Sequence, residues 1–126
     1  MVNYILLYLG SALPFIWGIS HLLPTKSVVS EFGDITLENK RIITMEWIIE
    51  GVALIFIGVI VATVTYIDYT HTISRAIYWL SFLMLNTLSA ISIFTGFKIN
   101  FLPYKLCPII FTSSSSLIII GCYFHN

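Results

Sequence analysis

His21, Glu46 and Glu50 are the residues of this chain whose types and spacing could do chemistry. Glu46 and Glu50 stand four apart in Met45-Glu46-Trp47-Ile48-Ile49-Glu50-Gly51, so on a helix they share one face. An apolar run from Val52 to Ile67 follows, and ionisable side chains at the mouth of such a run are costly to take from water. His21 closes an earlier apolar run, and the long polar stretch between the two runs returns the chain to the same end. Carboxylates and imidazole exchange protons near neutral pH in many sites. The trio therefore suits an acid/base pair, a proton relay or a polar anchor for a lipid-like ligand.

A simpler role is open to each residue. Glu46 in a first helical turn faces the positive end of the helix and can pair with Lys40 or Arg41. Glu50 lies a further ~6 Å along the axis, which makes a purely interfacial role harder to sustain. His21 is its expected partner at the same depth. Trp47, between the two acids, and Asn86, midway along a later apolar run, join Glu50 and His21 as candidate ligand-binding residues. Asn86 is expected to hydrogen-bond a neighbouring helix, through the Ser89 side or the hydroxyls of the last segment, because an unpaired amide in lipid is expensive.

No metal or other cofactor is expected. A metal site needs three or four convergent ligands, and the chain has neither H-x-x-x-H nor E-x-x-H spacing. His21 is the one histidine inside an apolar run, so two-histidine haem ligation within one chain has no support. Asp68, His71 and His125 could meet near a surface, where loop and terminal residues are ordinarily just solvated. Cys107 and Cys122 lie ~22 Å apart by helical rise, too far to bond, and there is no C-x-x-C.

The elements that must position these residues follow from hydropathy. Of 126 residues, 58% are hydrophobic and 10% charged, against roughly a quarter charged in soluble domains. Such a composition predicts an integral membrane protein. Four segments, about 2–23, 43–67, 73–97 and 105–124, are each long enough to cross ~30 Å of hydrocarbon. None alternates like a barrel strand. The expected fold is all-α, a single domain over 1–126 forming a four-helix up-down-up-down bundle, with a polar loop at 24–42. Within that loop Asp34–Glu38 could start a short surface helix capped by Thr36. The first segment lacks a basic n-region and an A-x-A-like site, so it is expected to stay in the mature chain.

The helix faces carry further expectations. Thr44, Gly51 and Gly58 recur every seven residues, a seam of small side chains suited to close helix contact. Pro14 would kink the first helix or leave a carbonyl free. Thr112-Ser113-Ser114-Ser115-Ser116 points all round its helix, so each hydroxyl is expected to bond back to a carbonyl one turn earlier. The tryptophans, and the tyrosines at segment ends, suit an aromatic belt. The first and third loops hold Lys26, Lys40, Arg41, Lys98 and Lys105 against Arg75 alone on the other side. That bias places those loops in the cytoplasm and both termini outside, in a membrane expected to be a bacterial inner membrane.

The stretch Gly18-Ile19-Ser20-His21-Leu22-Leu23-Pro24, set in a four-helix chain of this length, resembles the DoxX-like small membrane proteins. The resemblance implies a four-helix bundle and, since some relatives are subunits of or accessories to quinone-linked redox enzymes, an accessory role. It supplies no catalytic motif, and Glu46-Trp47-x-x-Glu50-Gly51 is not among the residues that carry the resemblance.

Six Lys/Arg balance six Asp/Glu, which leaves no basic surplus for nucleic acid. The expected partners are the lipid bilayer and a hydrophobic ligand, a membrane protein or a second copy of the chain. The leading expectation is a non-catalytic ligand-binding or accessory subunit. A membrane enzyme acting on a lipid or isoprenoid through Glu50 and His21, and an oligomeric proton-coupled small transporter, are the alternatives.

Overall fold

The computed structural model describes residues 1–123. The described chain is helical, with no strand: α1 (Val2–Leu22), α2 (Thr25–Ser30), α3 (Leu37–Asp68), α4 (Thr72–Gly96) and α5 (Leu102–Tyr123). Four of these, α1, α3, α4 and α5, are long and apolar enough to cross a membrane. Helix α1 packs extensively against both α3 and α5, and α4 packs mainly on α5. The buried core runs along these contacts through Leu7, Leu54, Val61, Tyr78, Leu85, Phe111 and Ile118.

The boundaries differ from the hydropathy segments where polar residues favour helix. The second segment was expected to begin near 43, but α3 begins at Leu37. Thr36 does cap a helix, its hydroxyl accepting from Asn39 N at 3.2 Å, yet that helix is α3 itself. The cap satisfies an end group wherever the chain is wet, whereas hydropathy marks only the apolar part. The short surface helix is α2, just after Pro24; it packs on α3 and buries Val28 and Val29. Helix α5 starts at Leu102 rather than 105, with Pro103 in its first turn, where a missing N–H costs nothing. Its expected end at 124 lies outside the described residues.

Two features fix how α1 sits. Pro14 removes the N–H that would have bonded the carbonyl of Gly10. Ser114 of α5 supplies the missing donor, its hydroxyl giving a 2.6 Å bond to Gly10 O. On the other side, α1 crosses α3 with Gly18 against Gly51. A Cβ on Gly18 would lie 2.5 Å from Gly51 O, so the two backbones touch here and admit no side chain between them.

The hydroxyl cluster of α5 is divided in its roles. Ser115 bonds back to Thr112 O, as expected, but Ser114 reaches across to α1. Ser89 of α4 donates to Pro108 O at 3.2 Å, which spends its proton, so Thr112 donates to Ser89 Oγ across 2.9 Å. Asn86 does not make the interhelical bond expected of it. Its amide donates to Phe82 O on its own helix at 2.8 Å. Ser89, nearer the α5 contact and buried, takes that role instead.

Candidate functional site

The crossing at Gly18 and Gly51 decides which side chains meet. One turn beyond Gly18 on α1 comes His21, and flanking Gly51 on α3 come Trp47 and Glu50. A Cβ on Gly51 would stand 3.1 Å from the Cβ of His21, so the histidine enters the interface directly beside the glutamate's turn. His21 Nε2 lies 3.5 Å from Glu50 Oε1. The two side chains differ in exposure: 4% for His21 and 38% for Glu50. The pair thus has a buried anchor and a reachable end.

The ring of His21 is held on every side. Its Nδ1 lies 3.0 Å from Trp17 O. A carbonyl can only accept, so Nδ1 carries a proton and Nε2 is the atom presented to Glu50. Trp47 stacks on the imidazole with centroids 4.5 Å apart, and its indole N–H donates to His21 O at 2.6 Å. Trp17 meets the same ring edge-on at 5.6 Å. Among the described residues no buried side-chain polar atom lacks a partner.

Cys107, near the start of α5, completes the cluster. Trp17 Nε1 donates to its sulfur at 3.4 Å. One ligand atom each from His21, Glu50 and Cys107 lies within 4.8 Å of the other two. Outside the cluster, an apolar groove of about 380 Å³ runs between α3, α4 and α5. Ile49, Ala53, Met84 and Leu88 give it oily walls, and Glu46, Glu50 and Tyr104 give it polar points.

Of the residues singled out in the sequence, His21, Glu50 and Trp47 come together. Glu46 does not join them. It is exposed on the groove rim and has no ion-pair partner among the described residues, so the expected pairing with Lys40 or Arg41 is absent. Asn86 lies elsewhere on α4. Asp68 accepts from Thr70 N and Oγ1 in its own turn, and His71 caps α4, its Nδ1 accepting from Ile73 N. His125, the third residue of that expected grouping, lies outside the described residues.

Sequence reasoning missed Cys107, Trp17 and Tyr104. Cys107 was weighed for a disulfide alone, and the aromatics for an interfacial belt. An up-down order would put the start of the last helix at the same end as Glu50, but its depth there is set by packing between helices.

No family model matches the chain, and neither curated proteins nor solved structures yield a match. The site's own geometry therefore carries the functional reading.

Proposed function

We propose that this chain is a small integral membrane protein that binds an apolar molecule with a hydrogen-bonding head group. The ligand's apolar part lies in the α3–α4–α5 groove and its head meets Glu50. The observation that carries this reading is the half-exposed carboxylate, backed by a buried histidine, opening onto an oily groove. Such a combination of apolar lining and few fixed polar points is the usual make-up of a small-molecule site. Membrane insertion is supported by large exposed apolar side chains along the long helices, among them Phe56 at 63% and Phe94 at 75%. The helices cross in up-down-up-down order, with the His21–Glu50 end and the lysine-bearing loops in the cytoplasm and both termini outside, in a bacterial inner membrane. The role is that of a binding or accessory subunit beside a larger membrane partner, in keeping with the resemblance to DoxX-like chains.

The test is mass spectrometry of the molecules retained by protein purified in native lipid. Glu50→Gln keeps size but replaces a charge-assisted bond worth about 1.5–3 kcal/mol. The wild type should carry a retained amphiphile at near one per chain, falling at least about tenfold in Glu50→Gln and unchanged in the exposed control Glu38→Gln. Equal retention in all three refutes the site. Turnover of the retained molecule that requires a titratable residue 50 would favour the enzyme alternative.

A further inference from the structure

We propose that His21, Glu50 and Cys107 form a binding site for a divalent transition metal ion of zinc's class, with one coordination position open toward the groove. The inference goes beyond the amphiphile reading and stands whether or not the groove holds a ligand. Three observations support it. The first is the donor set. One imidazole nitrogen, one carboxylate oxygen and one sulfur converge from three helices, with their ligand atoms within 4.8 Å of one another. Zinc bonds of ~2.0–2.3 Å at tetrahedral angles place ligand atoms roughly 3.4–3.6 Å apart. The 3.5 Å from His21 Nε2 to Glu50 Oε1 already matches such an edge. The sulfur needs to move by at most ~1.4 Å to complete the triangle.

The second observation is the support behind the ligands. Metal-bound histidines ordinarily donate the far ring N–H to a carbonyl or carboxylate, which fixes the tautomer and aims the other nitrogen. His21 does this through Nδ1 to Trp17 O. Trp17 also donates its indole N–H to Cys107 Sγ, which fixes where the sulfur sits. One residue thus holds two of the three ligands.

The third is charge. The indoles of Trp17 and Trp47 pack on the histidine, and beside such apolar rings a net charge is costly. A thiolate and a carboxylate together balance a divalent cation, with the imidazole neutral. A monovalent ion would leave one negative charge unbalanced. Binding exchanges the ligands' protons for the metal: any proton on Cys107 Sγ, His21 Nε2 or the Glu50 carboxyl leaves to water past the exposed face of Glu50. Three protein ligands with an open fourth position is the arrangement in which zinc retains a water or an exogenous donor.

The experiment uses the full chain without a polyhistidine tag, purified in detergent, stripped with a chelator and titrated with Co²⁺ and then Zn²⁺. One Co²⁺ per chain should bind with a sulfur-to-cobalt charge-transfer band, and Zn²⁺ should displace it. Cys107→Ser should abolish the band. Cys107→Ser and Glu50→Gln should each weaken Zn²⁺ binding by at least ~100-fold, beyond the ~10–100-fold that loss of an outer support brings. X-ray absorption of the wild-type zinc complex, which depends on no variant folding, should show one sulfur at about 2.3 Å and nitrogen or oxygen at about 2.0–2.1 Å. An absent band, a band that survives Cys107→Ser, or a zinc shell without sulfur overturns the proposal.

Discussion

The proline of α1 and the serine of α5 form a pair that a thermodynamic cycle can isolate. Ser114 is fully buried and gives its proton to Gly10 O across 2.6 Å. That carbonyl needs an outside donor because Pro14, four residues on, has no N–H. In Ser114→Ala the carbonyl is left buried without its partner, at a cost of about 1–3 kcal/mol. Pro14→Ala restores an N–H at position 14, and the helix can then close its own bond to Gly10 O. In that background Ser114→Ala should cost only about 0.6 kcal/mol, the mean for interhelical hydrogen bonds in membranes. From the middle of that range the coupling between the two changes is ~1.4 kcal/mol, with the double variant more stable than the sum of the singles predicts. Any cavity left by the proline ring appears in both arms and cancels. Reversible unfolding of the four proteins in mixed micelles, followed by helical circular dichroism, measures it. Additivity within ~0.5 kcal/mol would refute the reasoning, since independent sites add to that precision.

Further outcomes follow from other contacts. Thr65 spends its proton on Val61 O, so Tyr78 donates to Thr65 Oγ1 at 2.9 Å; Thr65→Val and Tyr78→Phe should each cost ~1–2 kcal/mol in the same unfolding assay, with the double variant costing less than the sum. Gly18→Ala would set a Cβ 2.5 Å from Gly51 O, and this overpacking should cost ~1–3 kcal/mol and pull His21 from Glu50, read as loss of amphiphile retention. Asn86→Leu should change stability by under ~1 kcal/mol, because its amide bonds its own helix rather than a neighbour. Reporter fusions at either terminus should read as outside the cytoplasm, and a cytoplasmic reading would reverse the orientation.

How much of this was legible in the sequence depends on the range of the interaction. Helix number and placement were legible because apolar length is a local property, and the four long helices fall where the four runs do. The His21–Glu50 pairing was legible because one loop joins their helices and each ends or begins beside it. The start of α3 at Leu37 was not, since Glu38 to Arg41 are good helix formers that a hydropathy reading discards. Asn86 was misjudged because a backbone carbonyl on its own helix satisfied it more cheaply than a neighbour could. Cys107 needed the depth of α5 relative to α3, a tertiary quantity that no spacing within one segment encodes.

Helices α3 and α4 are joined by just three residues, Tyr69–His71, yet they touch sparsely, because each spends its packing face on α1 or α5. The groove beside Glu50 opens in that sideways gap, with Met84 and Leu88 of α4 on one wall. In a bilayer such a gap faces acyl chains rather than the aqueous phase, so a guest would arrive by lateral diffusion after first dissolving in the lipid. Occupancy would then follow the guest's mole fraction in the membrane, and adding more detergent or lipid at fixed total guest would empty the site by dilution alone.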